Sequence, residues 1–174
     1  AEGYEVVSVD MHPDMVSVIE INKTVNNFQK IHIVNTAVGK DGAVANFPKW
    51  DPRVGSKVWF NSVKKVDDLI SVPTISLDGL ASIYGTPSIV KVDIEGNEIT
   101  ALEGAQNIIA TMKTRFIFDI HRKALNDQGY PRDIFAKYFS DEKWKCVTLS
   151  KGLVREVSTD KALDFDCIYL SARY

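Results

Sequence analysis

The chain has 174 residues, 45% of them hydrophobic and 25% charged, with a formal net charge of -2. That length suits a single domain, spanning residues 1–174, that buries roughly 70% of its unfolded surface. The near-neutral charge leaves no basic footprint for nucleic acid, and no apolar run approaches the ~20 residues of a membrane span.

No signal-peptide pattern opens the sequence, and no internal repeat or long linker divides it. The two cysteines, Cys146 and Cys167, are read as buried small hydrophobes of a reducing, cytoplasmic setting. A disulfide across paired strands is the alternative. Cys/His spacings of the metal-binding kind are absent.

In chain order, Tyr4 to Val9 reads as a strand closing on Asp10. His12-Pro13-Asp14 starts a helix, since proline is tolerated in a first turn, and Asn26-Asn27 ends it. Ile31 to Val34 is a second strand, followed by Asn35-Thr36-Ala37-Val38-Gly39. Lys40 to Val72 is the least regular stretch. Asp41-Gly42 reads there as a tight turn, Trp50 to Ser56 as an extended loop, and Lys57 to Val63 as a strand. Thr74 to Leu77 is a short strand, and Leu77-Asp78-Gly79-Leu80 opens a helix ending near Gly85.

Next comes the segment Ser88 to Glu98. Ile89, Val90, Val92 and Ile94 are β-branched, as suits a strand covered on both faces. Helical spacing takes over at Ile99, Leu102, Ile109 and Met112. This change of period leaves Asp93 and Glu95 at the carboxyl end of a strand, where open α/β sheets bind their ligands. A further strand runs from Arg115 to Ile120, and Asp133 to Phe139 is helical. Trp144 to Leu149 and Phe165 to Leu170 form an antiparallel closing pair. The alternation predicts an α/β fold with a mostly parallel sheet and an antiparallel C-terminal edge. Dinucleotide-binding and flavodoxin-like domains share that alternation.

The string Val90-Lys91-Val92-Asp93-Ile94-Glu95-Gly96-Asn97-Glu98, followed by Leu102-Glu103-Gly104-Ala105, closely resembles the FkbM-type S-adenosylmethionine-dependent methyltransferases. The resemblance runs from Ala1 to about Arg122 and implies a class I methyltransferase, Rossmann-like fold. Proteins of that family carry a first strand and a glycine-rich turn before the segment matching Tyr4 to Asp10. The expectation is that both are missing from this chain and that an upstream segment or a second chain completes the sheet.

Several residues become site candidates. Asp10 can accept hydrogen bonds from both ribose hydroxyls of an adenosine; its other reading is a helix cap. Family members carry an acid at this place, more often glutamate, and here Met11 and His12 intervene before Pro13. Asn35, Thr36 and Ala37 resemble the family's N-x-A-V-G loop beside the adenine. Asp10, Met11, Asn35, Thr36, Ala37 and Asp93 are thus the cofactor-binding candidates. Asp93 and Glu95 are candidates for contacting the acceptor or the methionine part of the cofactor. Glu98, near a helix start, belongs to the same constellation and reads equally as a functional acid and as one that suits the helix dipole. Lys91, alternating with Asp93 along the strand, reads as a structural partner of a neighbouring acid.

Asp119 and His121 resemble the family's acid-x-H at the end of the next strand. His121 is the candidate base for an acceptor hydroxyl, joining Asp93 and Glu95 as the catalytic set. Asp93, Glu95 and Asp119 could also hold Mg²⁺, although no metal is the favoured reading. Trp50, Trp59, Phe60 and Tyr84 could line an acceptor pocket or belong to the core, and Lys64, Lys65 and Lys151 read as solvated.

The resemblance implies an S-adenosylmethionine-dependent O-methyltransferase acting on a sugar, glycan or natural-product hydroxyl. The alternatives are a non-catalytic domain of the same fold and a nicotinamide-dependent oxidoreductase of similar topology.

Overall fold

The computed structural model describes residues 3–48, 69–150 and 152–173. The loop from Trp50 to Ser56, the strand from Lys57 to Val63, and Trp50, Trp59, Phe60, Lys64, Lys65 and Lys151 all lie outside the described residues. The chain forms two compact units, 1–75 and 76–174.

In the first unit, β1 (Val6–Asp10) runs parallel to β2 (Ile31–Asn35), with Asp10 opposite Asn35. Between them lies α1 (Pro13–Val25), with proline in its first turn and His12 as its N-cap; the His12 ring accepts from the Asp14 N–H at 3.2 Å. Asn27, at a φ of 53°, turns the chain out of the helix. β3 (Ala37–Val38) pairs in parallel with β5 (Leu69–Ile75), and β4 (Val44–Pro48) pairs with β5 antiparallel. The strand expected at Thr74 to Leu77 therefore begins at Leu69 and stops at Ile75. It stops because Ser76 caps the next helix, its hydroxyl accepting from the Gly79 N–H at 2.8 Å.

The second unit opens with that helix, α2 (Leu77–Tyr84), which ends at Gly85 with a φ of 88°. Its sheet has the order β6-β7-β10-β8-β9, built from β6 (Ile89–Val92), β7 (Arg115–Asp119), β8 (Trp144–Ser150), β9 (Leu153–Val157) and β10 (Cys167–Ala172). β6 and β7 are parallel, and the remaining ladders are antiparallel. The described sheets are thus mixed rather than mostly parallel. β9, which hairpins back on β8, was not expected from its exposed sequence. Among the described residues β6 is the end strand of this sheet, and Ile89 and Lys91, alternate residues on one of its faces, are exposed.

The helical spacing after β6 resolves into two short helices, α3 (Glu98–Glu103) and α4 (Gln106–Ala110). Asp78 causes the break. Its N–H donates to the Gly104 carbonyl at 2.8 Å, and its carboxylate accepts from the Asn107 and Ile108 N–H groups, both at 2.9 Å. A distant side chain thereby satisfies the first amide groups of α4. The expected helix at Asp133 to Phe139 is a single 3-10 turn, Ile134–Lys137.

The core of this unit is aromatic. Phe116 and Phe118, alternate residues of β7, stack at 6.0 Å, and Phe135, Phe139 and Trp144 surround them. Cys146 is buried opposite Leu170, whereas Cys167 is exposed opposite Asp119. Both thiols are free, and the reading of both as buried is corrected for Cys167. Burial pushes the Cys146 thiol up to about 12.

Candidate functional site

After β6 the chain turns through Asp93-Ile94-Glu95-Gly96-Asn97 into α3. Glu95 has a φ of 56° and Gly96 one of 99°. The left-handed region costs a residue with a Cβ about 1–2 kcal/mol, so Glu95 is held there by its surroundings. Gly96 is required twice over. Its φ disfavours any side chain, and a Cβ would collide with the Cβ of Ala124 in α5 (Arg122–Asp127). The same helix end clamps the turn, since Gln128 Nε2 donates to the Gly96 carbonyl at 2.8 Å.

His121 lies directly after β7, between two carboxylates. Its Nε2 is 3.1 Å from Glu95 Oε2, and its Nδ1 is 2.8 Å from Glu98 Oε1. Burial alone would depress the imidazole; the Glu98 hydrogen bond and the charges of Glu95, Glu98 and Asp119 more than offset it, so the pKa is raised from 6.5. The ring is 24% exposed and Glu95 49%, whereas Glu98 is wholly buried. One face of the imidazole is thus anchored inside the unit and the other reaches a solvent-facing acid.

Asp93 stands beside this pair and is held by Lys91, whose Nζ is 2.7 Å from Oδ2. That contact holds the Lys91 ammonium above its ordinary pKa, as the alternation along β6 predicted. Donor atoms of Asp93, Glu95 and His121 all lie within 4.8 Å of one another. Three such donors suit a divalent cation, although Asp93 already carries the Lys91 ammonium at 2.7 Å. Asp119, expected in that trio, is the last residue of β7 and acts on His121 through its charge.

In the first unit, the cofactor candidates form one local cluster. Asp10 Oδ1 accepts from the His12 N–H at 2.7 Å, so it fixes the residue that caps α1 rather than capping the helix itself. Asn35 Nδ2 donates to the carbonyls of Asp10 and Met11 at 3.0 and 3.1 Å. Thr36 N–H donates to the Asp10 carbonyl at 3.2 Å, and its hydroxyl to the Pro73 carbonyl at 2.6 Å. Ala37 pairs with Thr74. Asp10 and Met11 are therefore held against Asn35 and Thr36 by side-chain and backbone bonds at the carboxyl ends of two parallel strands.

Sequence reasoning undervalued Glu98. As a helix-start acid it reads equally as a residue favoured by the dipole and as part of the site; in the structure it is fully buried and bonded to His121. The available signal was helical spacing, because Glu98, Ala101 and Leu102 share one face of α3 and all are buried. Tyr84, by contrast, is an exposed residue at the end of α2.

A family model described as the methyltransferase FkbM domain matches residues 2–144. Among solved structures, the chain is similar to the methyltransferase FkbM from Methylobacillus flagellatus KT, with a TM-score of 0.54 and 16% sequence identity. The match covers 95% of this chain and 36% of that one, so the chain spans about a third of that protein's length. At this identity the likeness is one of fold. No curated protein matches the chain.

Proposed function

The chain belongs to the FkbM methyltransferase family, and from that membership we propose that it transfers a methyl group from S-adenosylmethionine to a hydroxyl oxygen of a sugar, glycan or natural product. The observation that carries the reading is the imidazole of His121 between Glu95 and Glu98, with Asp93 in the same cluster. The sulfonium supplies an activated methyl carbon, which leaves the protein the tasks of aligning an acceptor oxygen and removing its proton.

In this reading Nε2 of His121 takes the hydroxyl proton as the C–O bond forms and the C–S bond breaks. Glu95 then stabilises the resulting imidazolium from 3.1 Å. Asp93, held in place by Lys91, contacts the acceptor or the amino-acid end of the methyl donor. Asp10 is assigned to the ribose hydroxyls, and its chemistry fits: it is a half-buried carboxylate with one oxygen anchored by a backbone N–H. Met11, Asn35, Thr36 and Ala37 are assigned to the base.

No helix among the described residues is long and apolar enough to cross a membrane.

Calorimetry of the full-length protein with S-adenosylhomocysteine tests the reading first. A saturable heat that weakens in Asp10→Ala supports it, whereas no heat favours a non-catalytic domain of the same fold. His121→Asn then tests the base, with turnover expected to fall ~10²–10⁴-fold.

A further inference from the structure

We propose that Glu98 is the positioning residue of this site, pinning the Nδ1 proton of His121 and so leaving Nε2 as the basic atom that faces Glu95 and Asp93. The inference deepens the proposed methyl transfer and rests on that reading for its catalytic consequence.

Glu98 is fully buried, and its Oε1 accepts from two loops at once. One donor is the Gly96 N–H of the turn after β6, at 3.0 Å; the other is His121 Nδ1, after β7, at 2.8 Å. A carboxylate has no proton to give, so Nδ1 must donate. Nε2 also faces a carboxylate, Glu95 at 3.1 Å, but that acid is half exposed to water. Glu98 is wholly buried and depends on the Nδ1 proton, so the ring that gives up one proton keeps Nδ1–H and carries its lone pair on Nε2. One side chain thus sets both the orientation and the tautomer of the imidazole.

Stability alone does not account for an acid here. Oε2 of Glu98 is buried with no hydrogen-bond partner, and a half-satisfied buried acid is more costly than an apolar side chain of similar size. Its neighbours on the same face of α3, Ala101 and Leu102, are apolar and buried. The Asn97 side chain makes no capping bond to α3, and Glu98 bonds backwards to Gly96. The charged groups facing His121 are Glu95 and Asp93 from the turn after β6, Glu98 from α3 and Asp119 from β7. Among them Glu98 is the buried one on the Nδ1 side.

The test is nitrogen NMR of the full-length protein labelled at its histidine rings. The chain has three histidines, so the signals lost in His121→Asn identify the relevant ring. In the wild type at alkaline pH, a protonated Nδ1 and a bare Nε2 are expected; the opposite tautomer, or an even mixture, would overturn the proposal. Glu98→Ala is expected to lose the tautomer preference and up to ~10²–10⁴ of kcat/KM, with binding of S-adenosylhomocysteine retained. Glu98→Gln keeps an acceptor at Oε1 and is expected to restore the tautomer and part of the rate. If Glu98→Ala does not fold, the wild-type and Glu98→Gln spectra still decide. An unaltered tautomer and rate in Glu98→Ala would refute the assignment. Full turnover in His121→Asn would instead refute the base reading beneath it, while the spectra read the Glu98–His121 bond separately.

Discussion

Gly96 packs so closely on Ala124 that a single added carbon has no room between the turn after β6 and α5. Gly96→Ala is therefore expected to destabilise the protein by about 1–3 kcal/mol through overpacking and its positive φ. Urea unfolding measures this. Adding Ala124→Gly should recover only the steric part, since the backbone angle of 99° remains; full recovery would show that the angle costs nothing.

Activity should depend on pH through His121. A base works when neutral, and this imidazole is raised above 6.5 by the Glu98 bond and by the charges of Glu95, Glu98 and Asp119, against the opposing effect of burial. kcat/KM is thus expected to rise with pH through a midpoint above 6.5, and Glu95→Gln should move that midpoint to lower pH.

Stability should run the other way. A group whose pKa is raised on folding contributes fully below its unfolded value and loses that contribution as pH rises through the folded one. The ion-pair contribution of His121 is therefore present below about 6.5 and lost over the range in which activity appears. Denaturation midpoints of wild type and His121→Asn across pH 5–9 test this: the difference should shrink towards alkaline pH, and a constant difference would contradict the assignment.

Asp78 is expected to stabilise the second unit from a distance. Asp78→Ala leaves the Asn107 and Ile108 N–H groups without their acceptors and should cost about 1–2 kcal/mol. Asp78→Asn keeps an acceptor and should cost less. Equal thermal midpoints for wild type and Asp78→Ala would contradict the capping role.

Turnover is expected to persist in excess chelator. A divalent cation among Asp93, Glu95 and His121 would have to displace the Lys91 ammonium from 2.7 Å and compete with the imidazole beside Glu95. Activity lost on chelation and restored by Mg²⁺ would reverse that expectation.

Period and punctuation made much of the fold legible. Pro13 marked the start of α1, Gly85 the end of α2, and the run from Arg115 to Ile120 the strand β7. These are local effects: a fixed φ, a missing Cβ, a period of two. The break between α3 and α4 was hidden because Asp78, far back in the chain, supplies the acceptors that start the second helix. β6 looked doubly covered, since β-branched residues favour strands whether one face is packed or both.

The candidate site divides in the same way. By itself the amino-acid order determined that Asp93, Glu95 and His121 stand at strand ends, because a change of hydrophobic period marks where a strand stops. Tertiary structure alone decided that Glu95 and Glu98 hold opposite nitrogens of one imidazole. Those pairings join side chains from separate loops. Their separation in space follows from the parallel register of β6 on β7 and the left-handed turn at Glu95-Gly96, which residue types along a line do not encode.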